Sequence, residues 1–318
     1  MDILSEILSG VRAERAMSAH FKLSAPWGLS SAGVRSLLIR MSKGSHYWMK
    51  VRDLPPTRVD PGEVVLIQPN VAHTISSDPD GGKRPFSDLF ADLHIERVGR
   101  PLVIEYGGGG QEIELYSLLL WLPSYCHRII FEALPPFVHV NAQRSRSVEV
   151  LAMAMQSLIE ESFARQPGSE LSMVRLGELL LVNILSEQLL KKNFEGDGWL
   201  RGLVDPHIIR ALNCIHAEPE VRWTMDLLAS RAAMSRSNFS SRFKAVMGVT
   251  PFAYLTNQRM LRAAFLIETG VRNVKQLADA TGYESEKSFI RVFANWSGMT
   301  PSQYVKNKHP EGAGKSTL

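Results

Sequence analysis

The feature that most constrains this chain is a stretch of about thirty residues that occurs twice. "TMDLLASRAAMSRSNFSSRFKAVMGVTPFAYL" covers 224–255, and "VKQLADATGYESEKSFIRVFANWSGMTPSQYV" covers 274–305. Each begins with a short apolar segment ending in small residues, Ala229 and Ala233 in one copy, Ala278 and Ala280 in the other. A serine follows, Ser235 or Ser285, and then a pair of phenylalanines, Phe239/Phe243 or Phe289/Phe293. Gly248 or Gly298, a Thr-Pro and Tyr254 or Tyr304 complete each copy, and the offset between the copies is expected to be 50 throughout. Landmarks held in register this way mark one structural unit used twice.

The residue types predict helix-turn-helix units. Ser235 and Ser285 stand where a hydroxyl caps a free backbone amide at the start of a second helix. Small residues on the first helix let two helices cross closely. Phenylalanines four apart, with Val246 or Trp296 a turn further, give that second helix an inward face. Its other face is then free to enter a major groove. The glycine ends the helix in a left-handed conformation, and Thr-Pro prevents its continuation. Between the copies, 252–270 has no internal proline or glycine and predicts a rod of about 27 Å. Arg259 and Arg262 on that rod are candidate contacts to DNA phosphates.

Charge agrees. Residues 206–310 hold 14 basic and 7 acidic side chains, a net +7, whereas 1–205 hold 21 and 24, a net −3. A basic third on a slightly acidic remainder suggests a polyanionic partner for that third.

With 318 residues, 45% apolar and 21% charged, the chain has room for two globular domains. The start "MDILSEILSGVRAER" lacks a secretory pattern and no apolar run reaches membrane-spanning length, so a cytoplasmic location without membrane contact is expected. Residues 20–140 read as short strands ("SLLIRM", "HYWMKV", "EVVLIQ", "PLVIEY") between turn residues. "GGGG" at 107–110 is a connection, since no GK[ST] follows to make it a phosphate loop. Apolar residues spaced three and four apart predict helices over 147–165 and 170–191, able to cover the strands or form a subunit seam. The expected organisation is a domain over 1–192, a glycine-bearing linker over 193–204, a helical domain over 205–308 opened by the cap Asp205-Pro206, and a flexible tail over 309–318. Cys126 and Cys214 form neither a disulfide framework nor a metal pair.

Residues 207–306 resemble the AraC/XylS family of bacterial transcription regulators. Gly282-Tyr283, Ser285, Ser288-Phe289, Arg291 and Phe293, then Gly298, Thr300-Pro301 and Tyr304, match the signature of that family. The resemblance implies a seven-helix DNA-binding domain with double-stranded promoter DNA as partner, and contact with RNA polymerase. By spacing from the capping serine, the outward positions of the first recognition helix are Arg236, Ser237, Ser240, Ser241 and Lys244. Those of the second are Glu286, Lys287, Ser288, Ile290 and Arg291. Arg291 suits guanine or phosphate, Glu286 cytosine and Ile290 a thymine methyl, while serines lack a long forked donor. Base discrimination is therefore expected to lean on the second unit. Singly, each is an ordinary solvated side chain.

"VDPGEVVLIQPNVAHTISSD" at 59–78 resembles the second motif of cupin barrels, with Gly62 and His73 in place and Asn70 at a tight turn. The expected fold class is thus α+β: a cupin-like β-barrel with packing and dimerisation helices, then an all-α double helix-turn-helix domain. The first cupin motif supplies only His46, with Trp48 at the second histidine position, so neither a metal nor another cofactor is expected. The resemblance implies that the barrel senses a small effector and that the chain is a homodimer. Arg35, Arg40, His46, Lys50, Arg52 and His73 are the candidate effector-binding residues, suited to an anion; solvated strand edges explain the charges equally well. No catalytic constellation stands out. Two alternatives for the barrel are a metal-dependent cupin enzyme and a redox sensor using Cys126; a third reading is an architectural binder indifferent to DNA sequence.

Overall fold

The computed structural model describes residues 12–94, 101–122, 131, 134–141, 145–162, 167–190 and 199–308. Cys126, the first half of the expected linker (193–198) and the 309–318 tail lie outside them. The chain divides into two compact units, one within residues 11–194 and one within 195–318.

The first unit is built from strands β1 (Arg15–Ser24), β2 (Gly28–Ser31), β3 (Leu37–Lys43), β4 (Tyr47–Val51), β5 (Thr57–Val59), β6 (Val64–Ile67), β7 (His73–Ser76) and β8 (Arg84–Pro85). Helix α1 (Phe86–Asp92) follows, then β9 (Leu102–Gly107), β10 (Glu112–Trp121) and β11 (Phe137–Val140). They form a six-stranded sheet, β11-β6-β3-β10-β1-β9, and a five-stranded sheet, β5-β4-β7-β2-β8. Among the described residues the ladders form these two sheets rather than one continuous ring, and the two sheets share one apolar core. Phe21, Leu38, Val65 and Leu115 come to it from the first sheet, and Leu29, Met49, Val59 and Ile75 from the second.

Two helices, α2 (Arg146–Ser162) and α3 (Ser169–Leu190), fall close to the expected 147–165 and 170–191 and pack on β1 and β10. A Cβ at Gly177 would press into the methyls of Leu118 and Leu120, so α3 lies close on β10 there. Covered this way, the inner strands are buried on both faces. β3, LLIRMSK, is buried at every position from Leu37 to Ser42, and its sequence therefore shows no alternation. Below α2, the Tyr116 hydroxyl reaches Glu114 at 2.8 Å and Glu160 at 2.7 Å, and His20 meets Glu114 at 2.7 Å. Gly62 and Asn70 take left-handed φ values of 81° and 59° at the turns expected from the motif.

The second unit is helical: α4 (Trp199–Val204), α5 (Ile208–Ala217), α6 (Met225–Arg231), α7 (Arg236–Met247), α8 (Pro251–Glu268), α9 (Val274–Ala280), α10 (Glu286–Ser297) and α11 (Pro301–Lys308). The last seven fit the seven-helix expectation. The first, α4, occupies 199–204, which the glycines had suggested was linker. Gly202 is buried there, and a Cβ on it would run into the Met247 sulfur, so this glycine serves close packing of α4 on α7.

Candidate nucleic-acid interface

Each landmark of the repeat has a position in this unit. α6 and α7 form the first helix-turn-helix, α9 and α10 the second, and α8 joins them as an uninterrupted helix of 18 residues. The phenylalanines face inward as expected: Phe239, Phe243, Phe289 and Phe293 are each 0% exposed. Their rings meet edge-on or tilted, and Tyr254 and Tyr304 close on Phe243 and Phe293 at 5.8 Å and 5.4 Å. A turn further, Trp296 is half-buried and donates to Asn257 on α8 at 2.8 Å. In the first unit the inward residue is Met247, continuing the four-residue step from Phe239 and Phe243, while Val246 is only half-buried.

Gly248 and Gly298 end α7 and α10 with φ of 74° and 78°. Thr250 then caps α8, accepting from Ala253 N at 3.3 Å, with Pro251 at the first turn. The serine caps differ. Ser285 accepts from the amide of Ser288 at 3.2 Å, but the Ser235 hydroxyl makes no capping bond although its backbone holds the cap conformation.

The constant offset also fails ahead of the serines. α6 begins at Met225 and α9 at Val274, a step of 49, while α7 and α10 begin 50 apart. The second turn is one residue longer, and its left-handed residue is Gly282, where a Cβ would collide with the Glu220 carbonyl. The first turn places Ala233 in the same conformation, at φ of 54°.

On the outer face of α7, Arg236, Ser237, Ser241 and Lys244 are exposed and Ser240 is half-buried. Arg236, Ser237 and Ser240 share an open groove with Met225 and Ser235. Arg236 also lies 3.5 Å from Asp226, an exposed pair of little strength. On α10, Glu286, Lys287 and Arg291 are exposed while Ser288 and Ile290 are half-buried. Of the ten expected reading positions, seven are thus exposed and three half-buried, against phenylalanines that are fully buried.

The two arginines on α8 are placed differently from the expectation. Arg259 donates to the carbonyls of Pro219 at 2.7 Å and Val221 at 3.0 Å, and its guanidinium lies 5.5 Å from the Tyr283 ring. Half-burial pulls its pKa down, against the charges of Tyr283 and Glu220. Its donors serve the protein, so it stands as an internal brace. Arg262 pairs with Glu220 at 3.0 Å on a partly exposed surface. Sequence reading had also passed over Arg242, on α7, which pairs with Asp205 at 2.9 Å. That carboxylate accepts from the amides of His207 and Ile208, so Asp205 both caps the start of α5 and ties it to α7.

In the first unit the six candidate effector residues separate. Arg35, Lys50 and Arg52 are exposed and His46 is half-buried, while Arg40 and His73 are 3% and 5% exposed. The alternation of β4 accounts for Lys50, since Tyr47, Met49 and Val51 are buried and Lys50 is exposed. The His73 Nδ1 meets the Val71 carbonyl at 3.0 Å, and burial with the nearby Arg40 charge lowers its pKa to about 4. Among the described residues no group of three or more His, Cys, Asp or Glu side chains is arranged to hold a metal ion.

The sequence matches the cupin family over residues 2–189 and the helix-turn-helix domain family over 228–307. It is similar to an AraC-like transcription regulator of Streptomyces lividans, 28% identical over 98% of this chain and 99% of that protein. It is also similar to the HTH-type transcriptional regulator AlkR of Acinetobacter baylyi, 26% identical over 96% of this chain and 99% of AlkR. The solved DNA-binding domain of AdpA, in complex with a target DNA, is 30% identical and covers 34% of this chain and 99% of that one, with a TM-score of 0.31. With a cupin domain across more than half of its length and two helix-turn-helix units after it, the chain belongs to the AraC family of DNA-binding transcription regulators.

Proposed function

We propose that α7 and α10 read successive major-groove turns of one operator, and that the N-terminal domain adjusts this binding in response to a small effector. The observation that carries the reading is α10. It buries Phe289 and Phe293, is capped at Ser285 and ended at Gly298, and leaves Glu286, Lys287 and Arg291 exposed. Arg291 makes the bidentate guanine or phosphate contact, and Lys287 holds the backbone. Ser288 and Ile290 approach the bases beside them. Arg236 and Lys244 bind phosphate on the first turn, with Ser237, Ser240 and Ser241 acting through water and groove shape. Arg262 reaches the backbone only by leaving Glu220.

The same reading places the protein in the cytoplasm as a homodimer that engages RNA polymerase. Exposed apolar side chains on the helical cover, Val150 and Met153 on α2 and Leu171 and Leu179 on α3, support a subunit seam there. The cupin domain acts as a sensor and carries out no reaction, a reading supported by Trp48 at the place of a second histidine ligand.

DNase footprinting upstream of the protein's own and neighbouring genes tests this. The expected result is a protected site spanning two successive helical turns, bound about a thousandfold or more tighter than random DNA at the same salt. Equal affinity for both DNAs would make the protein an architectural binder.

A further inference from the structure

Arg40 carries a charge into the shared core of the two sheets, and no carboxylate among the described residues pairs with it. Its Nε donates to Ser117 Oγ at 2.9 Å, and the Phe21 ring lies 5.9 Å from the guanidinium carbon. Its Nη1 is sealed from solvent and has no hydrogen-bond partner. Tyr47 on β4, near enough for its ionisation to feel the Arg40 charge, is 0% exposed, and its hydroxyl also has no partner.

An arginine stays protonated in any protein environment. A buried cation that only holds strands together is expected to spend its donors on carbonyls or a carboxylate, since an unpaired buried charge is strongly unfavourable. Neighbouring groups do not neutralise this one. His73 is uncharged above about pH 4. Glu63, the carboxylate whose field reaches Tyr47, is held by His139 at 2.8 Å and the Asp60 amide at 2.9 Å.

We propose that Arg40 and Tyr47 form the anion-binding end of the effector site, and that the effector is an organic monoanion, a carboxylate on an apolar body. Two unpartnered donor groups, the Arg40 Nη1 amino group and the Tyr47 hydroxyl, match the two oxygens of a carboxylate. One buried cation balances one negative charge, which disfavours a polyanion such as phosphate. Phe21, Leu38, Val65 and Leu115 make the surrounding core apolar, so the remainder of the ligand is apolar too. The proposal deepens, and rests on, the reading of this domain as a sensor. It also moves the site from the exposed Arg35, Lys50 and Arg52 to the interior.

The test uses the full chain, with hexanoate, neutral hexanamide and inorganic phosphate as probes in thermal unfolding. Millimolar hexanoate should raise the Tm of the wild type by several degrees, and hexanamide and phosphate should not. Arg40→Met should fold at least as stably as the wild type and lose the hexanoate shift. Tyr47→Phe should fold and need about ten times more hexanoate for the same shift. The proposal is overturned if the wild type ignores hexanoate, if hexanamide or phosphate works equally well, or if both variants respond as the wild type does. Should Arg40→Met fail to fold, an unaltered response in Tyr47→Phe alone overturns it. Operator affinity separates the two readings. If another metabolite changes operator binding equally in the wild type and Arg40→Met, this site falls and the sensor reading stands. If hexanoate binds through Arg40 but the chain prefers no DNA sequence, the site stands and the operator reading falls.

Discussion

The guanidinium of Arg259 sits 5.5 Å from the ring of Tyr283, with its donors on the carbonyls of Pro219 and Val221. One side chain thus joins the rod between the two reading units, the turn of the second unit, and the segment leading into the first. Arg222 and Glu284 pair at 3.0 Å across the same junction. The two reading heads are set relative to one another by this junction as well as by α8.

Arg259→Ala should therefore act on stability. Removing a half-buried guanidinium with two carbonyl partners should cost about 1–3 kcal/mol in the C-terminal unit, read as a lower unfolding midpoint in urea. The slope of log affinity against log salt should stay as in the wild type. Lys287→Ala, in contrast, should flatten that slope by about 0.9, the loss of one phosphate contact. A flattened slope in Arg259→Ala would return this residue to the DNA surface.

Arg291→Ala should weaken operator binding by about 1–3 kcal/mol and relax the preference for one base pair, whereas Ser237→Ala should change little. Fluorescence anisotropy on operators substituted base by base checks both. Equal penalties at the two half-grooves would show that the serine-bearing helix reads bases as strictly as its partner.

The unequal caps make a stability prediction. Ser285→Ala removes a bond to the Ser288 amide and should cost about 1 kcal/mol, while Ser235→Ala removes none and should cost a few tenths. Thermal unfolding of the two variants side by side measures the difference.

Burial lowers the pKa of His216 to about 4, and it lowers that of His73 to about the same value with help from Arg40. A histidine whose folded pKa lies below its unfolded value of about 6.5 binds more protons when unfolded. The associated stability is complete above about pH 6.5 and is lost as pH falls toward 4, on the order of 3 kcal/mol per histidine. Chemical denaturation between pH 7 and pH 4.5 should show this decline, and His216→Gln should flatten it for the C-terminal unit. A wild-type midpoint constant across that range would contradict the assignment.

Much of the helical unit could be read in advance because its signals are local. Phe239 and Phe243, Gly248 and Thr250 each act within a turn or two of helix, so spacing alone places them. Arg259 is different, since its exposure depends on Pro219 and Val221, about forty positions away in the chain, and nothing in "TNQRMLRAA" tells a phosphate contact from a brace. Arg40 stood among the effector candidates, but its burial could not be read from the sequence, for another reason. A strand buried on both faces has no polar side to mark direction, so its position between the sheets follows only from the pairing of β3 with β6 and β10. Gly202 carried an ambiguous signal, because glycine reads as a linker until its close neighbour Met247 is known.

The outer face of α7 is mostly hydroxyls and that of α10 mostly charges, and the turn before α10 is a residue longer. A single polypeptide therefore has a front and a back along any duplex it grips. If α7 and α10 read one operator as proposed, turning that operator end for end would reverse the protein on it, and this inequality between two copies of one motif would tell upstream from downstream.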